Sequence, residues 1–199
     1  MPLERWRTDR RAAVDTLAEA HAAMGEVDGP GRPLEIGRPI GHAYILRVVA
    51  EFQGFVRDVH DLAVQRLVEL SGVDTKYVPV MTEAATTGRR IDQGNPTLNN
   101  LRVDFRRVGL PDLQTKLASA NSRWAPPVGT DKENFENIVK LRNALAHGDQ
   151  GQLDLLRARG LSDTVSWTRA RLPALNRIAR ALDHIVWDHL RRQFGKEPW

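Results

Sequence analysis

The sequence predicts an all-α fold: a single helical bundle spanning 1–199, with one long central loop. Two observations lead there. Apolar residues recur three or four positions apart over most of the chain, the spacing that lines one face of an α-helix. Gly and Pro gather between those runs and punctuate them. No internal repeat or heptad run is present, and no Gly-rich phosphate loop follows a strand.

Arg7 to Met24 reads as the first helix, with alanines between charges and Val14, Leu17 and Ala20/His21 along one side. It stops at Gly25, and this N-terminal segment (5–25) is expected to pack on a core at 40–190. Glu26 to Gly41 carries seven Gly or Pro residues and reads as a linker or wrapped loop. From Ala43 to Leu70, Ile45, Val48, Val49, Phe52, Val56, Val59, Leu62, Ala63 and Leu67 make a long amphipathic helix, expected at the centre. Gly72 to Pro96 is the predicted loop; Tyr77 to Met81 is briefly strand-like but holds Pro79. Thr97 caps a helix through Leu98, Leu101, Phe105 and Val108, closed by Gly109; Pro111 opens another with Leu113 and Leu117. Trp124 to Gly129 breaks the chain. Thr130 with Glu133 is a capping box for a helix ending at Gly148. The last element starts near Ser162, with a break at Pro173, and continues through Leu175, Ile178, Leu182, Ile185, Val186 and Leu190.

A chain of this length buries roughly 70 % of its unfolded surface and needs no staple. It contains no cysteine, which excludes disulfide scaffolds, zinc ribbons and thiol nucleophiles. The longest uncharged stretches, such as Pro39 to Leu46, fall far short of the roughly 20 apolar residues that cross a bilayer, so no membrane is expected. The Arg-rich start lacks a secretory apolar run, and a cytoplasmic location is the expectation. Net charge is +4, with 24 Arg against 5 Lys; residues 1–150 balance at 20 basic and 20 acidic, so the excess lies in 151–199. That asymmetry suits an anionic partner, while a solvated Arg-rich surface explains it equally well.

The informative segment is Asp131 to Asp149. At 100° per residue Phe135, Ile138, Val139, Leu141, Leu145 and Ala146 form the buried stripe, and Arg142 lies near its middle. An unpaired buried guanidinium is costly, so Arg142 must meet a carboxylate such as Glu51 or Asp58, reach a polar cavity, or face a partner subunit. His147 closes the helix before Gly148, about 140° around from Arg142, so the two converge most easily across a two-fold axis or if the helix frays at its end. A cation at a helix C-terminus is also favoured by the macrodipole alone.

Elsewhere Arg177, Arg180, His184 and Arg191 share one face of the last helix, an electrostatic track for RNA or a solvated face. His184, Asp188 and His189 have loosely metal-like spacing, but Asp188 and His189 diverge by 100°, and no metal or other cofactor is expected. Trp6, Trp124, Trp167, Trp187 and Trp199 are assigned to core or interface packing.

Arg142, Asn143, Ala144, Leu145, Ala146, His147 and Gly148 resemble the signature of the HEPN superfamily, an Arg, a polar residue, a short spacer and a His near the end of a bundle helix. The lead-in Glu136 to Leu141 is similar too. Ala50, Glu51, Phe52, Gln53, Gly54 and Phe55 resemble a segment of larger HEPN proteins, and Gly94, Asn95, Pro96 to Gly109, Leu110 their middle region. Gln53 departs from the pattern, where an acidic residue is expected; Glu51 or Asp58 can substitute as the carboxylate that supports the motif Arg. The resemblance implies metal-independent RNA cleavage in a toxin or antiphage setting, a homodimer with a composite site, and an antitoxin or regulatory protein as partner. It implies His147 as acid or base, Arg142 on the scissile phosphate and Asn143 as orienting group. The alternative it leaves is a HEPN-fold interaction module that binds a protein or nucleotide without cleaving.

Overall fold

A computed structural model describes residues 1–23, 34–124 and 130–199. Every regular element among them is helical, so the chain is all-α. The N-terminal segment is α1 (Pro2–Arg5), a π-helical turn (Trp6–Arg10) and α2 (Arg11–Ala23). Then come α3 (Leu34–Ser71), a 3₁₀ turn (Thr75–Tyr77), α4 (Val78–Thr86), α5 (Arg90–Gln93) and α6 (Leu98–Phe105). A second 3₁₀ turn (Arg106–Val108) leads to α7 (Leu113–Ala120), α8 (Asp131–Ala146), α9 (Gln150–Ala158), α10 (Val165–Arg169) and α11 (Leu172–Phe194).

The 38-residue α3 is the central post, packed against α2, α4, α8 and α11. It buries Tyr44, Val48, Phe52, Phe55, Val56, Val59 and Ala63. Phe52 takes Trp6 edge-on at 5.5 Å from one side and Phe135 of α8 at 5.2 Å from the other, so the N-terminal turn, α3 and α8 share one aromatic stack. α11 closes the core with Leu175, Ile178, Leu182 and Val186. A second, smaller cluster forms where α8 ends: Ile45, Leu141, Ala144, Leu153 and Leu156, with Leu145, Leu161 and Trp167 on its edge.

Three expectations need correction. The segment expected as a central loop is largely helical. Pro79 sits in the first turn of α4, where its missing N–H has no partner to lose, so it starts a helix instead of breaking one. α5 is capped from a distance: the buried Asp104 carboxylate accepts the N–H groups of Arg90 (2.9 Å) and Ile91 (2.7 Å). Arg89 adds Asp61, Asp92 and the His60 ring, and this network holds the segment against α3. Second, helix α3 begins at Leu34, not Ala43, and runs through Pro39 at the loss of one backbone hydrogen bond; the rest of the expected 26–41 loop lies outside the described residues. Third, α9 was not anticipated at all. Asp149 caps it by accepting the Gln152 N–H at 2.9 Å, and Leu153 and Leu156 anchor it.

A tie between α3, α9 and the turn before α10 gives the fold an acid sensitivity. The Asp163 carboxylate accepts from Arg157 at 2.6 Å and lies 2.7 Å from His42 Nε2. Burial pushes its pKa up, but the Arg157 and His42 hydrogen bonds outweigh burial and hold it down at about 2. Its stabilisation, about 2 kcal/mol, is complete above the unfolded value near 4 and is lost as pH falls from there through about 2. Urea unfolding as a function of pH should show this loss in wild type, and Asp163→Ala should remove that part of the slope.

Candidate active site at the C-terminal end of α8

Thr130 caps α8 by accepting the Glu133 N–H at 3.0 Å. The buried face runs through Asp131, Phe135, Ile138, Val139, Leu141 and Ala144. In the last turn it rises out of the core: Leu145 is only partly covered and Ala146 is exposed, against the expectation that both complete the stripe. Arg142 therefore faces the core side of the helix but is half-buried. Among the described residues its guanidinium has no hydrogen bond and no ion pair.

His147 is the C-cap, its N–H bonded to the Asn143 carbonyl at 3.1 Å. Gly148 follows at φ +62°, a left-handed conformation that L side chains resist. Its N–H reaches the Leu145 carbonyl (3.2 Å) and the Asp149 N–H the Ala144 carbonyl (2.9 Å), a Schellman closure that turns the chain into α9. The imidazole is left exposed and without a side-chain partner among the described residues. Asn143 is half-buried, and its Oδ1 accepts from Asn95 Nδ2.

The carboxylates expected beside Arg142 are elsewhere. Glu51 and Asp58 both pair with Arg10 of the N-terminal turn, at 2.9 and 2.8 Å, and the guanidinium lies across Gly54 between them. A β-carbon at Gly54 would overlap that guanidinium, so the glycine makes room for it. Arg47 takes the other Glu51 oxygen at 2.7 Å. Neither carboxylate supports the motif Arg, because both are committed to holding α3 to the N-terminal segment. No sequence spacing links Arg10 to positions forty or more residues away.

Gln53 has a physical reason for not being acidic. Its buried Nε2 donates to the carbonyls of Ile91 and of Gly94 (2.9 Å), which a carboxylate cannot do. Gln53 thus fixes the strip that carries Asn95, and Asn95 reaches Asn143, so residues 50–55, 94–109 and 142–148 meet through these bonds. Gln53→Glu should place a buried carboxylate against two carbonyl oxygens and lower stability by about 2 kcal/mol, read by urea unfolding.

Arg177 is not a free RNA contact: its guanidinium grips the fully buried Asp131 carboxylate with two bonds of 2.7 Å, and Asn121 adds a third at 2.9 Å. Arg180 is exposed, with no partner among the described residues, and Arg191 is exposed beside the Trp187 ring, 5.1 Å from its centroid. No group of three or more His, Asp or Glu among the described residues is arranged to hold a metal ion, and no described helix is long and apolar enough to cross a membrane.

No family model matches the chain, and no similar curated protein or solved structure was found.

Proposed function

We propose that this chain is a metal-independent endoribonuclease of the HEPN type, acting as a two-fold homodimer in which the α8 ends of both protomers build one site. The observation that carries the reading is Arg142: a permanent cation, half-buried on the core side of its helix, with no carboxylate paired with it among the described residues. Such a group is held ready for an anion, and the exposed His147 lies five residues away on a helix end that a second protomer can approach.

The chemistry suited to this pair is transesterification of RNA. An imidazole titrates closer to neutrality than any other ordinary side chain and can take the proton of a ribose 2′-hydroxyl. The 2′-oxygen then bonds to the adjacent phosphorus as the bond to the 5′-oxygen breaks. The leaving oxygen takes a proton, from an imidazolium or from water, and the products are a 2′,3′-cyclic phosphate and a 5′-hydroxyl. Arg142 holds the non-bridging oxygens and offsets the charge that builds on them. Asn143, steadied by Asn95, orients the phosphate. No step requires a cofactor. A toxin or antiphage role with a regulatory partner protein follows from the resemblance of the motif region.

The test is to incubate purified protein with total RNA in EDTA. Cleavage that persists and leaves cyclic-phosphate ends is expected. RNA left intact, with or without added divalent ions, turns the reading to a non-cleaving interaction module.

A further inference from the structure

Nine arginines among the described residues are buried or half-buried: Arg10, Arg11, Arg57, Arg66, Arg89, Arg142, Arg157, Arg171 and Arg177. Seven have a carboxylate partner within 3.0 Å. The two without one are Arg142 and Arg171. For Arg171 the surroundings are specific: its guanidinium lies 3.5 Å from the centroid of the Trp167 ring, and Nη1 donates to the Trp167 carbonyl at 2.8 Å. Its Nε is buried with no acceptor, and among the described residues no acceptor takes the N–H groups of Nη2. Glu133 acts on it only through space, and burial lowers its pKa, the mark of a cation whose charge is not neutralised.

Its place relates it to the motif. Trp167 packs at the edge of both core clusters; the smaller one, where α8 meets α3 and α9, also has Leu145 on its edge, three residues from Arg142 and two from His147. The Trp167 ring therefore ties the Arg171 guanidinium to the cluster on which α8 ends, and stacking fixes its plane in advance, so little side-chain freedom is lost when it binds.

We infer that Arg171, held flat on Trp167, is a second phosphate-binding residue of the α8 site, taking a backbone phosphate of the RNA that flanks the scissile one. This rests on the ribonuclease reading for its substrate. The Nη1–Nη2 edge of the guanidinium, opposite the buried Nε, can meet a phosphodiester in bidentate fashion, and a phosphate neutralises the charge that the described residues leave open.

The probe is a twelve-nucleotide 2′-O-methyl RNA, which has no attacking hydroxyl and stays uncut. Its affinity is measured against NaCl concentration for wild type, Arg171→Gln and Arg171→Lys. Gln can keep the bond to the Trp167 carbonyl while removing the charge. Each phosphate neutralised on a single strand contributes about 0.7 to the slope of log affinity against log salt. Arg171→Gln should lose about 0.7 of that slope and bind about fivefold more weakly at 0.1 M NaCl. Arg171→Lys should keep the slope. A wild-type slope retained in Arg171→Gln, whether or not its melting temperature drops, overturns the inference and makes the residue a clasp between α10 and α11. The two proposals separate cleanly: wild type that cuts ordinary RNA with an Arg171-independent slope refutes only this one. Wild type that binds with an Arg171-dependent slope but cuts nothing refutes only the ribonuclease reading.

Discussion

His147→Ala should lower RNA cleavage by about 10²-fold or more and leave thermal unfolding unchanged. The imidazole is exposed, has no hydrogen bond or ion pair to a side chain among the described residues and closes a helix whose end is secured by the backbone bonds of Gly148 and Asp149. Loss of activity would therefore report chemistry and not folding. Arg142→Ala should be comparably inactive. It removes no intrachain bond among the described residues, so its effect on a single protomer should be small, while the proposed dimer, in which the charge would face the partner, should weaken. Initial cleavage rates on a defined RNA, thermal melts and sedimentation at micromolar concentration check all three points. A His147→Ala protein that cuts as fast as wild type would remove the imidazole from the reaction.

Asp131→Ala should destabilise the fold by about 3 kcal/mol, a drop of roughly 10 °C in Tm. The carboxylate is fully buried and takes three hydrogen bonds, two from Arg177 and one from Asn121. Its removal leaves both donors facing a vacated polar pocket, though Arg177, at 36 % side-chain exposure, recovers part of its hydration. Arg177→Ala should cost at least as much, since it strands a buried anion. The double variant should cost less than the sum of the singles. If Arg177 served RNA instead, its loss would weaken binding and spare stability; the two outcomes are read from the same protein by titration and melting.

What the sequence made legible follows from the range of each interaction. Helical periodicity reports local geometry, so the all-α class, the central amphipathic helix and the boundaries of α8 were readable from Thr130 to Gly148. The Schellman closure that exposes His147 is also local, set by Gly148. The helices between Gly72 and Pro96 were missed because their support is remote: Asp104 caps α5 across thirteen residues, and His60 and Asp61 hold Arg89 across nearly thirty. The same remoteness hid the partners of Glu51 and Asp58. Charge spacing on α11 suggested a track, but the periodicity that aligned Arg177 with Arg180 could not show that Arg177 turns inward to Asp131. Asn95 entered only within the stretch that resembles the HEPN middle region and Arg171 not at all; their neighbours Asn143 and Trp167 are supplied by folding.

The central claim is that Arg142 and His147 act together across a two-fold interface. The most direct measurement mixes Arg142→Ala and His147→Ala proteins, each inactive alone, lets protomers exchange, and follows cleavage of a labelled RNA in EDTA. In a composite site that pairs Arg142 of one protomer with His147 of the other, the mixed dimer holds one site with both residues intact, and the account predicts that activity returns to a sizeable fraction of wild type. A mixture as silent as either variant alone, beside a wild type that cuts, would contradict it.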